Sequence, residues 1–334
     1  MIIETIIQKI EVLLKKANYE TFSIQEKNKF CFDLLVKKDS SILLIKVFSN
    51  IDNLNDSVID GIKSMSTLLQ SQPILIGIKN RYQKLEHNTI YVREDLPFIT
   101  YDTLEKVIIN QIYPYVLARR GGGVVFLDGP LMKELREQKN ITRKELSDEL
   151  NITKRTVSSY ETENMRPSQK IAQKILDILE DKHQSIFRNI NVFEWHVKST
   201  IKNEVGQELN TFQSHLQDII EDIGVDTHWY RKGVAPFELS IHSKHFNMEK
   251  GENTILPLFS KVPDEKNKMS SVNLKSFLYM FTQLFQKKGI FIVDNDFKIS
   301  DVFKNNRIPI LKVKNLEKID NESDFIELVK EKEK

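Results

Sequence analysis

Apolar residues recur every three or four positions at the start of the chain, with the charged residues Glu4, Lys9 and Glu11 between them. A period near 3.6 residues predicts an amphipathic helix that packs on a core. The interrupting charges argue against a cleaved targeting segment, whose apolar stretch is continuous. Shorter apolar runs follow at residues 30–37 and 41–48, with a tight turn between them, and their lengths are those of β-strands.

The remainder of the first region alternates helical and strand-like patterns. Helices are predicted over residues 56–69 and 102–117, and strands over 73–79 and 89–92. Residues 1–118 therefore form an α/β domain. A similar order of strands and helices returns in residues 211–334, which we interpret as a second α/β domain that repeats the first. The predicted fold class is α/β plus all-α.

The segment between the two α/β domains is helical throughout residues 129–183, flanked by an Arg/Gly-rich linker at 119–128 and a polar connector at 184–210. Three glycines follow Arg119 and Arg120, which suggests a phosphate-binding loop. Such a loop also requires a Gly-Lys-Ser/Thr sequence and a helix directly behind it, and valines follow instead. We predict a flexible joint and one short strand, whose two arginines could touch DNA phosphate.

Three capping signals divide the helical segment. Thr142 is placed to cap the start of one helix, and Glu145, three residues on, completes a capping box. Asn151 stands where a left-handed residue ends this helix, and Thr153 is placed to cap the next helix. Two short helices joined by so tight a turn predict a helix-turn-helix.

Only a few apolar residues anchor the second of these helices. Val157 and Tyr160 face the core, so the remaining side chains from Lys154 to Ser159 face largely outward. A helix of this width fits the major groove, where Arg and Lys pair with guanine and hydroxyls serve several base edges. The pattern predicts a recognition helix that begins at Thr153.

The stretch LMKELREQKNITRKELSDELNITKRTVSSYETENMRPS resembles the Cro/C1-type (XRE-type) helix-turn-helix domain of four or five helices. This chain has Arg143, Ser147, Asn151 and Glu163 where that family commonly has glutamine, alanine, glycine and glycine. The layout of the whole chain is similar to that of an archaeal family of HTH-type transcriptional regulators. The resemblance implies a DNA-binding regulator of transcription and implies nothing about effectors.

We predict sequence-specific binding to double-stranded DNA that controls transcription. The four side chains expected to contact bases are Lys154, Arg155, Ser158 and Ser159, and those expected to position the phosphate backbone are Thr142, Arg143, Lys144 and Arg166. Thr153 and Thr156 complete the predicted DNA-binding set. Because such domains generally bind half-sites about 34 Å apart in pairs, we expect a homodimer. An effector, if the protein has one, has no sequence signature.

A nuclease is the alternative from another functional class. The order of elements in residues 1–118 is similar to that of PD-(D/E)xK nucleases, in which an Asp and a downstream acid-x-Lys pair hold Mg²⁺. Asp33 and Lys46 fit two of the positions, but Leu44 occupies the acid position and cannot bind a metal. We therefore expect a nuclease-like scaffold without catalysis, or an inactive derivative that binds DNA structures.

The second α/β region has the same gap. Glu238 and Lys261 could replace the Asp and Lys, but Phe259 stands in the acid position. Two copies that lack the same carboxylate favour a scaffold over an enzyme. A third hypothesis is an adaptor whose helix-turn-helix contacts protein, a use to which this motif is also put.

Composition limits the remaining possibilities. The chain has 334 residues and a net charge of +2, so DNA binding must come from a local cluster of cations. Its single cysteine, Cys31, lies in an apolar run and cannot form an internal disulfide, which favours a reducing cytoplasm. No apolar run approaches the roughly 20 residues of a membrane span. We expect no enzymatic activity, no cofactor and no resident metal.

Overall fold

The computed structural model describes most of the chain. The described residues are 2–23, 30–119, 122–181, 186–195, 197, 209–231, 233–243, 256–262, 281–282, 284–286, 288–297 and 308–332. The predicted connector at 184–210 falls mostly outside these residues, as do Arg120 and the side chain of Lys261.

Ten α-helices lie within the described residues. They are α1 Ile2–Lys16, α2 Asp56–Leu68, α3 Tyr101–Asn110, α4 Gly129–Gln138, α5 Arg143–Leu150, α6 Lys154–Glu161, α7 Gln169–Leu179, α8 Thr211–Asp222, α9 Val313–Leu316 and α10 Glu322–Lys332. The opening helix buries Ile10, Leu13 and Leu14, as its apolar period predicts. In the part of the chain that the structure describes, no helix has the length and apolar character needed to cross a membrane.

The β-strands of the described residues form two sheets. They are β1 Glu20–Ser23, β2 Leu34–Lys38, β3 Ser41–Asn50, β4 Gln72–Lys79, β5 Thr89–Arg93, β6 Leu96–Ile99, β7 Val116–Arg119, β8 Gly122–Val125, β9 Val225–Trp229, β10 Leu239–Ser243, β11 Leu258–Lys261, β12 Lys288–Val293 and β13 Ile310–Lys312. The first sheet has the order β1-β2-β3-β4-β6-β5-β7-β8, and the second has β13-β12-β11-β10-β9.

The two sheets share a strand order over part of their width. In the first sheet β1 pairs with β2 in antiparallel fashion, and β4 pairs with β6 in parallel. In the second sheet β9, β10 and β11 are antiparallel neighbours, and β12 and β13 continue in parallel. The series β1-β2-β3-β4-β6 therefore has the same spatial order as β9-β10-β11-β12-β13.

The internal contacts of the chain divide it into two compact units. One consists of Met1–Tyr19, Ile45–Asn53 and Gln72–Val197, and the other of Glu20–Leu44, Leu54–Ser71 and Lys198–Lys334. The first unit contains the helices α3 to α7. The second contains β9 to β13, whose inner face buries Leu239, Leu258 and Ile290. The division passes through β3.

Several predicted elements have different bounds in the structure. The helix predicted over 102–117 ends at Asn110, where Gln111 is left-handed (φ 57°), and residues 116–119 form β7 instead. The linker contains two strands, β7 and β8, where one was predicted. The strand predicted from residue 30 begins only at Leu34. The sequence patterns also did not predict β1, β6, α8, β9 and the short helix α9.

Candidate nucleic-acid interface

Helix α5 begins with the capping box that the sequence predicts. The Thr142 hydroxyl accepts a hydrogen bond from the Glu145 amide (3.2 Å), and the Glu145 carboxylate accepts one from the Thr142 amide (2.7 Å). Hydrogen bonding to the backbone and side chain of Thr142 lowers the pKa of Glu145 below its ordinary value. The box satisfies two backbone donors that would otherwise lack partners at the helix start.

The turn between α5 and α6 also follows the prediction. Asn151 is left-handed (φ 55°, ψ 48°), and the Ile152 amide donates to the Ser147 carbonyl (3.0 Å). Thr153 then caps α6, because its hydroxyl accepts from the Thr156 amide (3.1 Å). Ser147, a small residue of α5, is buried, and its hydroxyl donates to the Lys144 carbonyl (2.8 Å).

A single apolar cluster holds the four helices α4 to α7 together. Val157 and Tyr160 of α6 are buried in it with Leu146 and Leu150 of α5, and Ile152 packs against it. Burial raises the pKa of the Tyr160 phenol. Because the apolar side of α6 is fixed inward by these contacts, its opposite side faces solvent.

The solvent side of α6 carries the predicted base-contacting residues. Lys154 and Arg155 are exposed, and no described acidic side chain lies within ion-pairing distance of either. Ser158 and Ser159 are half-buried, and the Ser159 hydroxyl donates to the Arg155 carbonyl (3.0 Å). Thr156 shares a hydrogen bond of 2.9 Å with the capping Thr153.

The predicted phosphate-contacting residues at the start of α5 differ in their exposure and in their partners within the protein. Thr142 and Lys144 are exposed, and the Lys144 ammonium lies 3.8 Å from Asp148, with both side chains largely in solvent. Arg143 is half-buried, and its Nε donates to Glu161 (2.6 Å). A surface pair like Lys144–Asp148 is screened and weak, so its lysine stays available, whereas Arg143 is partly committed within the protein.

A buried ionic cluster fixes the end of α6. The Glu161 side chain is 1% exposed and accepts hydrogen bonds from the Nε atoms of Arg136 and Arg143, both at 2.6 Å. Arg136 also donates to the Ile141 carbonyl (2.7 Å). The cluster therefore joins α4, α5 and α6. Sequence reasoning missed it because a charged residue at a helix end is ordinarily solvated.

The loop after α6 contains Glu163 where the resembled family has glycine. Its backbone is left-handed (φ 59°), a region that costs a non-glycine residue about 1 kcal/mol or more. Arg188 donates two hydrogen bonds to the Glu163 carboxylate (2.6 and 2.8 Å), and the Gly129 amide donates a third (3.2 Å). These bonds offset the backbone strain and neutralise the negative charge beside α6.

Arg166 lies just beyond this loop. Its exposed guanidinium stacks over the Phe126 ring, 3.7 Å from the ring centre. Partial burial lowers the pKa of Arg166, and the positive charge of Arg119 lowers it further. Among the described residues, no acid forms an ion pair with Arg166.

The residues at the nuclease-like positions are buried, unlike the exposed cations of α6. Asp33, immediately before β2, is 9% exposed, and Lys46 in β3 is 6% exposed. Leu44, in the acid position, is fully buried. Within the described residues, no group of three or more His, Cys, Asp or Glu side chains is arranged to hold a metal ion.

At the corresponding positions of the second sheet, Glu238 and Phe259 make internal contacts. Glu238 accepts a hydrogen bond from the Val262 amide (2.7 Å), which joins the ends of β10 and β11. Phe259 is fully buried between Phe237 and Phe281, at ring-centre distances of 4.7 and 5.2 Å. The side chain of Lys261 lies outside the described residues.

Comparison with known families finds one match for the N-terminal region and one for the helical region that contains α5 and α6. Residues 3–114 match the PD-(D/E)XK superfamily domain, and residues 132–180 match a helix-turn-helix domain. The first match agrees with the nuclease-like order of elements in the N-terminal region. The second covers α4 to α7 as far as residue 180. No solved structure matches the chain.

Full-length relatives narrow the class to one family. A "Putative HTH-type transcriptional regulatory protein" of Methanobrevibacter smithii is 30% identical over 98% of this chain and 96% of the relative. Proteins with the same description from Archaeoglobus fulgidus and Methanocaldococcus jannaschii are 27% and 26% identical, over 98% and 90% of this chain and 97% and 88% of theirs. The chain belongs to this family of archaeal HTH-type transcriptional regulatory proteins.

Proposed function

We propose that this protein binds a specific sequence of duplex DNA, with α6 in the major groove, and thereby regulates transcription. The observation that carries the proposal is the solvent side of α6, where Lys154 and Arg155 have no acidic partner among the described residues. Cations without counterions on a helix of groove-fitting width favour a polyanionic partner. The regulatory role follows the descriptions that the relatives carry.

The predicted residues then divide by the part of the duplex that each can reach. Lys154, Arg155, Ser158 and Ser159 contact base edges. Thr142, Lys144 and Arg166 contact phosphates, together with the terminal guanidinium nitrogens of Arg143, since its Nε is held by Glu161. Thr153 and Thr156 act chiefly by capping α6, whose N-terminal dipole favours nearby phosphate.

The other parts of the proposal rest on fewer observations. A homodimer on two half-sites is the usual arrangement for this motif. We propose that the two α/β regions are related by duplication, on the strand order that they share, and that they serve as a scaffold or sensing surface without catalysis. Binding to cellular DNA requires a cytoplasmic protein in an archaeon.

Selection of bound sequences from a pool of randomised duplexes tests the proposal. A single enriched motif with two symmetric half-sites is expected. Arg155→Ala should then weaken binding to the selected duplex by about 1–3 kcal/mol and relax the preference at one base position. Arg81→Ala, which removes another exposed arginine, is the matched control and should bind like the wild type.

Three results would contradict parts of this assignment. A pool that yields no enriched motif would refute sequence-specific binding. A loss in Arg155→Ala that is equal on selected and scrambled duplexes would make Arg155 a phosphate contact. Binding that does not weaken as salt rises would favour the adaptor hypothesis, because phosphate contacts release counterions.

A Mg²⁺-dependent nuclease is the second candidate, since residues 3–114 match the PD-(D/E)XK superfamily. The apolar residues Leu44 and Phe259 in the acid positions weigh against it. A plasmid-nicking assay with Mg²⁺ or Mn²⁺ separates the two functions. Cleavage that is abolished in Lys46→Ala would establish the enzyme, and intact plasmid at all metal concentrations would support the scaffold.

A further inference from the structure

The hairpin β7–β8 is built onto the helix-turn-helix core. Its strands are antiparallel, with Arg119 opposite Gly122 and Val116 opposite Val125. The edge of β8 that does not pair with β7 is hydrogen-bonded to the segment before α7. Val124 forms a β-bridge with Ser168, and the Val125 amide donates to the Pro167 carbonyl (3.0 Å). Residues 167–168 thus act as a third short strand.

Alternation of side chains gives this small sheet two different faces. Val116 and Val125 are buried in the cluster that also holds α4 to α7. On the opposite face, Leu117 and Val124 are half-buried and Arg119 is exposed. Phe126 continues this outer face one step beyond β8, and Arg166 stacks on it. We call these five residues the hairpin face: Leu117, Arg119, Val124, Phe126 and Arg166.

The hairpin face carries two arginines and no acid. The charge of Arg119 lowers the pKa of Arg166, which places the two guanidinium groups within electrostatic range of each other. No described acidic residue forms an ion pair with either arginine. Like charges held together without a counterion repel, and a bound anion relieves that repulsion. The Phe126 ring beneath Arg166 offers its guanidinium no competing hydrogen-bond acceptor.

The hairpin face adjoins the C-terminal half of α6. The loop that follows α6 folds back so that the Met165 amide donates to the Ser159 carbonyl (3.1 Å), and Arg166 is the next residue. Ser159 is one of the proposed base contacts. A duplex that receives α6 in its major groove therefore brings a phosphate strand beside Arg166.

We propose that the hairpin face, four of whose five residues precede the matched helix-turn-helix domain, is a second DNA-binding surface, and that Arg119 contacts a backbone phosphate that flanks the groove read by α6. The inference rests on the proposed DNA binding. It extends the footprint along the phosphate backbone and adds no sequence preference, because an arginine on phosphate carries no base information.

The salt dependence of binding tests this proposal with full-length protein. Arg119→Ala should weaken binding to both the selected duplex and a scrambled duplex. One lost phosphate contact lowers the slope of log affinity against log salt by about 0.9. The ratio of wild-type to variant affinity should therefore fall about threefold to fourfold between 50 and 200 mM salt.

Two variants control this measurement. Arg119→Lys keeps the charge and should restore most of the slope, which a merely structural role would not require. Arg81→Ala should keep the wild-type slope. An Arg119→Ala variant with wild-type affinity and slope would overturn the hairpin proposal while leaving α6 as the reader. A loss confined to the selected duplex would overturn it as well, whereas a wild-type protein that binds neither duplex would refute the proposed function itself.

Discussion

The surface of α6 and the nuclease-like positions of β3 contain the same kinds of charged residue in opposite settings. Lys154 and Arg155 stand in solvent without an acidic partner among the described residues. Lys46 is 6% exposed, and the neighbouring position on its side of the strand is the fully buried Leu44. Charge that is left exposed on a surface is available for binding, whereas a charge enclosed in a sheet, like that of Lys46, is engaged within the protein. What a charged side chain can bind therefore depends on its exposure and not only on its residue type.

The largest loss of stability is expected from a change at Glu161. This carboxylate is buried in the helix-turn-helix and paired with two arginines, in contrast to the exposed charges of α6. Glu161→Gln leaves the buried Arg136 guanidinium without its buried carboxylate partner. Removal of one partner of a buried pair costs about 3–5 kcal/mol. Hydrogen exchange of the amides in residues 129–179 of the full chain measures this loss.

A matched control uses the same arginine. Glu137 lies 3.2 Å from the Arg136 guanidinium but is 56% exposed, so Glu137→Gln should cost less than about 1 kcal/mol. Equal losses in the two variants would show that the burial of Glu161 is not what makes it important.

The second-largest loss of stability is expected from a change of Leu44, which occupies the acid position in β3. Leu44→Glu places a carboxyl where the native side chain has no solvent exposure. Burial raises the pKa of such a carboxyl by about three units, which costs about 3 kcal/mol at pH 7. Because the folded state then binds more protons than the unfolded state, the loss should shrink to about 1 kcal/mol at pH 5. Urea unfolding at the two pH values measures it.

Leu44→Met is the control, with a loss below about 1.5 kcal/mol at either pH. Recovery of the Leu44→Glu variant by Mg²⁺ at pH 7 would contradict the scaffold interpretation, because it would reveal a metal site that lacks only its acid.

The smallest effect is expected at the capping box of α5. The pKa of Glu145 is lowered in the folded state from an ordinary value of 4.5, chiefly by the Thr142 amide. A lowered pKa means stability that is present above the ordinary value and lost as pH falls through the folded value. Protection of the first amides of α5 should decrease over that range in the wild type. In Glu145→Gln the protection should not change with pH, and a wild-type profile in that variant would exclude the carboxylate as the cause.

Local signals made the helix-turn-helix predictable from sequence. The caps at Thr142 and Thr153, the left-handed Asn151 and the buried Val157 and Tyr160 all depend on residues a few positions apart, and the structure confirms each of them. The predicted DNA contacts remain predictions, since they depend on a partner.

The features that sequence reasoning missed depend on distant partners or on weak local patterns. Nothing near Glu163 in the sequence indicates that Arg188, which is 25 positions away, pairs with it. For the region of the β7–β8 hairpin the sequence predicts a helix end, a flexible joint and one short strand, because Leu117 and Ala118 have no helix-ending signal. The valines on both sides of the glycine run were the available indication of two strands.

The ion pair between Glu163 and Arg188 mechanically couples the chain around Arg188 to the end of α6. A glycine in place of Glu163 would have no side chain with which to bind Arg188. With Glu163 in its place, the chain that departs from the domain is bonded through one guanidinium to the residue two positions beyond the end of α6. A force that displaces the Arg188 side chain must therefore either break these two short hydrogen bonds or shift the end of α6.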